Sequence, residues 1–190
     1  MDSNIFTILY FVGVLAASVI RGIYTRRYKQ RRHIPDKLDR FLTILPLFGM
    51  LIFPLIYTFT SWLDFADYQL PLWAGGIGVL VFSVGLWLLW RSHADLGRQW
   101  SLNVEIQEQH KLVTEGVFGR IRHPMYAAHL LWGLAQPLLL WNWIAGLSML
   151  AFSLPLYIYR IPREEKMMTD AFGGEYQEYM QDTGRFFPKI

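Results

Sequence analysis

"YAAHLLWGLAQPLLLWNWIAGLSMLAFSLPLYIYR", residues 126–160, carries no charged side chain before its last residue, Arg160. A membrane helix needs about 20 apolar residues, with a usual range of about 17 to 25. The stretch is too long for one such helix. Its densest polar break is the "WNW" of Trp141 to Trp143, which divides it into two short halves, 126–140 and 144–160. The pair reads as a helical hairpin inside a membrane, with the turn at one face.

Three more apolar blocks lie upstream, at about 5–24, 41–60 and 72–90. The second and third are long enough to span unaided. The first reaches full length if Arg21 extends its head toward water and Tyr24 sits at the interface. Charged residues make up 17% of the chain, against about 25% in a soluble domain. The expected fold is all-α and integral to a membrane. It has five transmembrane helices in one domain, 1–190.

The charges test this reading. All 18 Lys and Arg residues fall in 21–40, 91–122 or 160–189. The remaining exposed pieces, the N-terminal tip, 61–71 and 141–143, contain Asp2, Asp64 and Asp67 and no basic residue. Five spans put all three basic segments on one side. Positive residues mark the cytoplasmic side, so the N-terminus is expected outside and the C-terminus inside. The short chain suggests a bacterial or archaeal plasma membrane.

Several functions are excluded or disfavoured. The basic residues follow the first apolar block, whereas a secretory signal carries them before it. Arg26, Arg27, Lys29, Arg31 and Arg32 would suit nucleic acid or anionic lipid, but they are accounted for as a topology determinant. There is no cysteine, so disulfides, thiolate metal sites and a cysteine nucleophile are absent. No metal or nucleic-acid partner is expected. Gly75, Gly76, Gly78 and Gly85 lack the strand before and the acidic residue after that a dinucleotide fold requires. They read as close helix packing, and no Rossmann domain is expected.

The long polar segments, 91–125 and 160–190, both lie on the basic side, so any site belongs there. Tyr126, His129, Gly133 and Gln136 share one helix face, which serves either interhelical hydrogen bonds or a wet cavity. Pro124 suits the first turn of a helix, with His123 in the cap region, and Pro137 should end or kink it. Arg160 and Glu164 are one turn apart, as a surface pair or a site. Phe172, Tyr176 and Tyr179 have helical spacing, for a helix on the membrane or folded over the site.

In order, "HKLVTEGVFGRIRHPMY" at 110–126, the apolar hairpin with its central Gln136, "EE" at 164–165, "FGGEYQEYM" at 172–180 and "TGRFFPKI" at 183–190 resemble the isoprenylcysteine carboxyl methyltransferase family. The similarity is closest to its short five-span prokaryotic members and runs from about 95 to the end. It implies S-adenosylmethionine-dependent methyl transfer to the carboxylate of an apolar-tailed, isoprenylcysteine-like acceptor, small or prenylated, drawn from the membrane lipid. The implied cofactor pocket, within about 95–190, lies at the cytoplasmic face. It is formed by the 91–125 segment, the last two spans and the C-terminal segment.

Its implied residues are Asn103, His110, Lys111, Leu112, Val113, Phe118, His123, Pro124, Met125, Tyr126 and Glu164, with Arg160 at the acceptor carboxylate. Phe118 stands where the family usually has a tyrosine, which removes one hydroxyl contact and leaves stacking. Arg185 is a further cation near the end that could meet a carboxylate.

Chemistry agrees with that implication. A carboxylate is already ionised at neutral pH, so its methylation by a sulfonium needs alignment at about 3–3.5 Å and exclusion of water, and no general base. A phospholipid or amine methyltransferase would use the same fold. An NADPH-dependent sterol-type reductase shares RHPxY-like entries, but a 2′-phosphate calls for arginines. Only Lys111 is basic between 103 and 119, apart from His110. A non-enzymatic membrane scaffold is the third reading, in which these motifs serve folding alone.

Overall fold

The computed structural model describes residues 3–27, 36–97 and 112–189. Its helices are α1 (Ser3–Arg27), α2 (Lys37–Leu47), α3 (Phe53–Phe59), α4 (Leu72–Leu96), α5 (Pro124–Leu140), α6 (Trp143–Phe172) and α7 (Gly174–Asp182). Among the described residues there is no β-strand. Four stretches are long and apolar enough to cross a membrane: Ile5–Arg27, Lys37–Phe59, Leu72–Leu96 and Trp143–Phe172. Helix α5 is shorter, with 17 residues, about 25 Å at 1.5 Å per residue. It runs between the same two ends of the bundle as α4 and α6 and is the most enclosed helix. Ala128, Ala135 and Leu140 have no exposed surface.

Helix α1 shows how lipid and core share a segment. Tyr10, Val14 and Ala17 are buried, while Ile8, Val12, Leu15, Val19 and Ile23 are exposed on the opposite side. In water such an outer face would be costly; in hydrocarbon it is the ordinary surface. On α4, Gly75, Gly78 and Gly85 let Phe6, Leu138 with Leu139, and Trp132 reach the helix backbone, as the packing reading expects. Gly76 faces open space.

The second span is one rod with a π turn, Phe48–Ile52, joining α2 to α3. Pro54 has no N–H, so the carbonyls of Gly49 and Met50 lose its donation. Other helices satisfy them. Gln136 Nε2 (3.0 Å) and Ser148 Oγ (2.8 Å) donate to the Gly49 carbonyl, and the Tyr10 hydroxyl to that of Met50 at 2.5 Å. Gln136 therefore serves interhelical bonding, the first of the two readings for its face.

At the acidic end the hairpin turn is built as expected. Trp141 adopts a left-handed conformation (φ 51°), and Asn142 caps α6 by accepting from the N–H groups of Ile144 and Ala145. Asn142 Nδ2 also donates to the Leu63 carbonyl and to Asp67 Oδ1, both at 2.7 Å. Pro137 does not end α5, which continues to Leu140. The Pro137 carbonyl instead accepts from Tyr68 and from the Trp141 N–H.

At the basic end α6 runs past Pro155 and Pro162 without interruption, for 30 residues. That length, about 45 Å, exceeds the hydrocarbon thickness of about 30 Å, so its C-terminal part projects beyond the bilayer. Gly173, with φ 56°, turns the chain into α7. Tyr176 and Tyr179 are buried, so α7 folds over the bundle.

Candidate active site

The projecting part of α6 meets the start of α5. Pro124 occupies the first turn of α5, where its missing N–H is harmless, and His123 is the N-cap. This places the His123 ring between two neighbouring carboxylates of α6. Its Nε2 lies 3.2 Å from Glu165 Oε1, and its Nδ1 lies 3.6 Å from Glu164 Oε2, the latter an ion-pair distance. Only the doubly protonated ring presents a donor to both. Burial disfavours that charge, but the hydrogen bonds and charges of Glu164 and Glu165 outweigh it and hold His123 above its ordinary value of 6.5.

A folded value above the unfolded one gives stability that is complete below the unfolded value and lost as pH rises through the folded value. Melting temperature in detergent is therefore expected to fall on the alkaline side of pH 6.5. In His123→Gln that alkaline fall should flatten; an unchanged profile would show that the ring is uncharged throughout.

Tyr126 is next along α5. Its hydroxyl donates to Glu164 Oε1 at 2.5 Å, and its ring meets Tyr157 edge-on at 5.2 Å. One turn before Glu164, Arg160 forms a bidentate fork with Asp39 of α2, Nε to Oδ1 at 2.6 Å and Nη2 to Oδ2 at 2.8 Å. Nη2 also donates to Thr43 Oγ1 at 3.0 Å. Asp36, the N-cap of α2, accepts from Tyr159 and Arg163. The start of α2 is thus docked on α6 by its own carboxylates.

The tail closes the other side. Residues 120–123 exchange backbone hydrogen bonds with 184–185, at 2.8 Å (Arg122 N to Gly184 O), 3.0 Å (His123 N to Arg185 O) and 3.2 Å (Gly184 N to Arg120 O). Arg185 donates Nε (3.0 Å) and Nη2 (2.5 Å) to Glu165, so the cation noted near the end does meet a carboxylate. Arg122 donates to Glu165 at 3.4 Å and to the carbonyls of Met180 and Thr183. The Tyr179 hydroxyl donates to the Phe118 carbonyl at 2.6 Å.

Of the residues expected in the site, the structure brings His123, Tyr126, Arg160 and Glu164 together. Pro124 is fully buried, so it shapes the helix start and presents no surface to a ligand. Phe118 is buried beneath α7, while Leu112, Val113 and Met125 are half-buried. Asn103, His110 and Lys111 lie outside the described residues. Sequence reasoning missed Glu165 as the hub of the tail and Asp39 as the partner of Arg160. The doubled glutamate was the available signal for the first; no local signal pointed to the second. Among the described residues no group of three or more His, Cys, Asp or Glu side chains is arranged to hold a metal.

The profile of the isoprenylcysteine carboxyl methyltransferase (ICMT) family matches residues 77–170. A probable protein-S-isoprenylcysteine O-methyltransferase of Oryza sativa subsp. indica is 33% identical over 119 residues, 60% of this chain and 61% of that one. Protein-S-isoprenylcysteine O-methyltransferase B of Arabidopsis thaliana is 32% identical over 111 residues, 57% and 56% of the two chains. The chain thus spans about three fifths of the length of these plant relatives. A solved structure of the eukaryotic intramembrane Ras methyltransferase ICMT superimposes with a TM-score of 0.57 at 24% identity. That match covers 96% of this chain and 63% of the other, and it bears on the fold.

Proposed function

From residues 77–170, which place the chain in the isoprenylcysteine carboxyl methyltransferase family, we propose that it transfers a methyl group from S-adenosylmethionine to the carboxylate of an apolar-tailed acceptor. The observation that carries this reading is the chain of polar groups Asp39–Arg160, Tyr126–Glu164 and His123–Glu165, set where α5 and α6 leave the bilayer. The sorted charges support a cytoplasmic position for this end. A water-soluble donor would enter from that side, while the acceptor's tail stays among the helices.

The residues present fit such a donor. Glu164 is accessible at 22% and spends one oxygen on Tyr126, which leaves acceptor capacity for an ammonium or ribose hydroxyls. His123 acts through Glu164, holding its carboxylate in place. Leu112, Val113 and Met125 offer apolar surface for a purine, with Asn103, His110, Lys111 and Tyr126 completing the family's set, while Phe118 and Pro124, both buried, support it from behind. When bound, S-adenosylmethionine supplies a methyl group on a sulfonium, which an ionised carboxylate takes by displacement, leaving a neutral thioether and moving no proton. The protein's share is therefore orientation and dryness. Tyr126 and Tyr157 wall the site against water, and Arg160 aligns the acceptor's carboxylate through the part of its guanidinium that Asp39 leaves open.

Calorimetric titration of the detergent-purified protein with S-adenosylhomocysteine, with NADPH in parallel, tests this. Saturable binding of the former alone is expected; binding of NADPH alone would replace the reading with a reductase. Glu164→Ala should weaken S-adenosylhomocysteine by roughly 10-fold or more, the worth of a charge-assisted hydrogen bond. Arg160→Ala should abolish turnover with that binding largely kept. Equal loss of both would reduce Arg160 to docking α2.

A further inference from the structure

Three side chains of α2 build the fork on Arg160. Asp36 caps the helix by accepting the Asp39 N–H at 2.6 Å, which fixes the backbone of Asp39. Asp39 then takes Nε and Nη2 of Arg160 on its two oxygens, at 2.6 and 2.8 Å. One turn on, Thr43 donates its hydroxyl proton to the Asp39 carbonyl at 2.7 Å, so a lone pair is left for Arg160 Nη2 at 3.0 Å. The Arg160 and Asp39 side chains are 11% and 13% exposed, so water hardly screens the pair. Among the described residues nothing accepts from Nη1.

Docking α2 does not call for this geometry. Asp36 already holds the helix start, accepting from Tyr159 at 2.8 Å and from Arg163 at 3.2 Å. A second carboxylate, set bidentately on the arginine assigned to the acceptor, carries a cost, because a like charge beside an anion site weakens anion binding. The reaction gives that cost a purpose. As a carboxylate oxygen bonds to the methyl carbon and the C–S electron pair passes to sulfur, the acceptor goes from anion to neutral ester. Its charge is smaller in the transition state than in the ground state. A bare guanidinium would therefore hold the reactant more tightly than the transition state and slow the step. An arginine whose charge Asp39 offsets can orient the carboxylate through Nη1 without that penalty.

Resting on the methyltransferase reading above, we propose that Asp39 is a positioning residue that acts through Arg160. It fixes the guanidinium with Nη1 left for the acceptor and offsets its charge, so the acid is bound less tightly and methylated faster. Thr43 shares the first task. The ester product, having no charge, leaves a pair that is already neutral.

The test uses the full chain in detergent, saturated with S-adenosylhomocysteine for binding or S-adenosylmethionine for turnover. The ligands are an N-acetyl-S-prenylcysteine and its carboxamide. Asp39→Asn keeps the shape, removes the charge and turns one acceptor into a donor. It should bind the acid roughly 10-fold more tightly, the effect of removing one like charge a few ångströms away. Its kcat should fall roughly 10-fold or more through misalignment, so that KM and kcat drop together. The carboxamide and S-adenosylhomocysteine should be bound as before. Thr43→Val, with the charge intact, should lower kcat and leave affinity for the acid unaltered. Asp36→Asn, which keeps the cap and disturbs only docking, should change neither. Weaker binding of the acid by Asp39→Asn, or unchanged kcat in both Asp39→Asn and Thr43→Val, would overturn the proposal and leave Asp39 a docking residue. Should Asp39→Asn not fold, Thr43→Val decides alone, and joint loss of kcat and acid affinity there would overturn it. Wild-type protein that bound S-adenosylhomocysteine but not the acid would overturn it together with its acceptor. Failure to bind S-adenosylhomocysteine would instead remove the methyltransferase reading.

Discussion

Glu165→Ala is expected to free the C-terminal tail and to destabilise the protein by about 3–5 kcal/mol, the usual result of removing one partner from a buried charge cluster. The Glu165 side chain is 11% exposed and receives Arg122, His123 and Arg185 on its two oxygens. Its loss takes the paired carboxylate from Arg122 (11% exposed), which keeps two carbonyls, and leaves His123 (7%) with Glu164 alone. Arg185 is half-exposed and contributes little to the sum, because water screens it.

The backbone pairing of 120–123 with 184–185 depends on the same hub, so the effect should reach α7. Two readouts check this: the melting temperature in detergent, and amide exchange over residues 174–189. Glu165→Gln keeps an acceptor without the charge and should fall between. A shift for Glu165→Ala below about 3 °C, worth roughly 1 kcal/mol at this size, would show that the tail holds without Glu165.

Gly49→Val is the second substitution with a large expected effect, and it acts at the bundle's centre. A Cβ at Gly49 would lie 2.4 Å from the Ser148 carbonyl oxygen and 2.7 Å from the Met149 Cα. Both are backbone atoms of α6 and cannot rotate away. The helices must separate, which costs about 1–3 kcal/mol as overpacking. Separation also pulls the Gly49 carbonyl from Gln136 and Ser148, at about 1–3 kcal/mol for a stranded buried acceptor. Gly76→Val is the control, because a Cβ there meets nothing within 4 Å. If both variants melted alike, the contact between the π turn and α6 would not be the constraint described.

Much of this architecture was legible in the residues. The hairpin at Trp141–Trp143, the helix start at Pro124 and the glycine packing of α4 are all found, because each follows from a few adjacent side chains and the surrounding solvent. Helix ends were less legible. Helix α6 passes Pro162 where a span was expected to finish at 160, since the carbonyl that Pro162 leaves without a donor lies near the membrane boundary, where water can serve it. Helix α5 passes Pro137 by three residues and stops at Leu140, where Trp141 turns left-handed, and the tertiary bond from Tyr68 to the Pro137 carbonyl there is one no local pattern announces.

In the site, His123, Tyr126, Arg160 and Glu164 could be named beforehand, since they stand in the motifs that flank the apolar hairpin at its entry and its exit. Their partners could not. Asp39 lies 121 positions from Arg160 along the chain, and Arg185 lies 20 from Glu165.

Hydropathy and charge sorting by themselves determined that this chain is a helical membrane protein with its polar chemistry at one end. Lipid excludes unpaired backbone and charge wherever they occur in a sequence, so that selection acts on each segment separately. The tertiary structure alone decided which cation meets which carboxylate. Arg160 and Arg185 look alike in a list of residues, yet one meets Asp39 and the other Glu165. Only the docking of α2 and of the tail on α6 makes these pairs, and an ion pair exists only where folding brings two charges within a few ångströms.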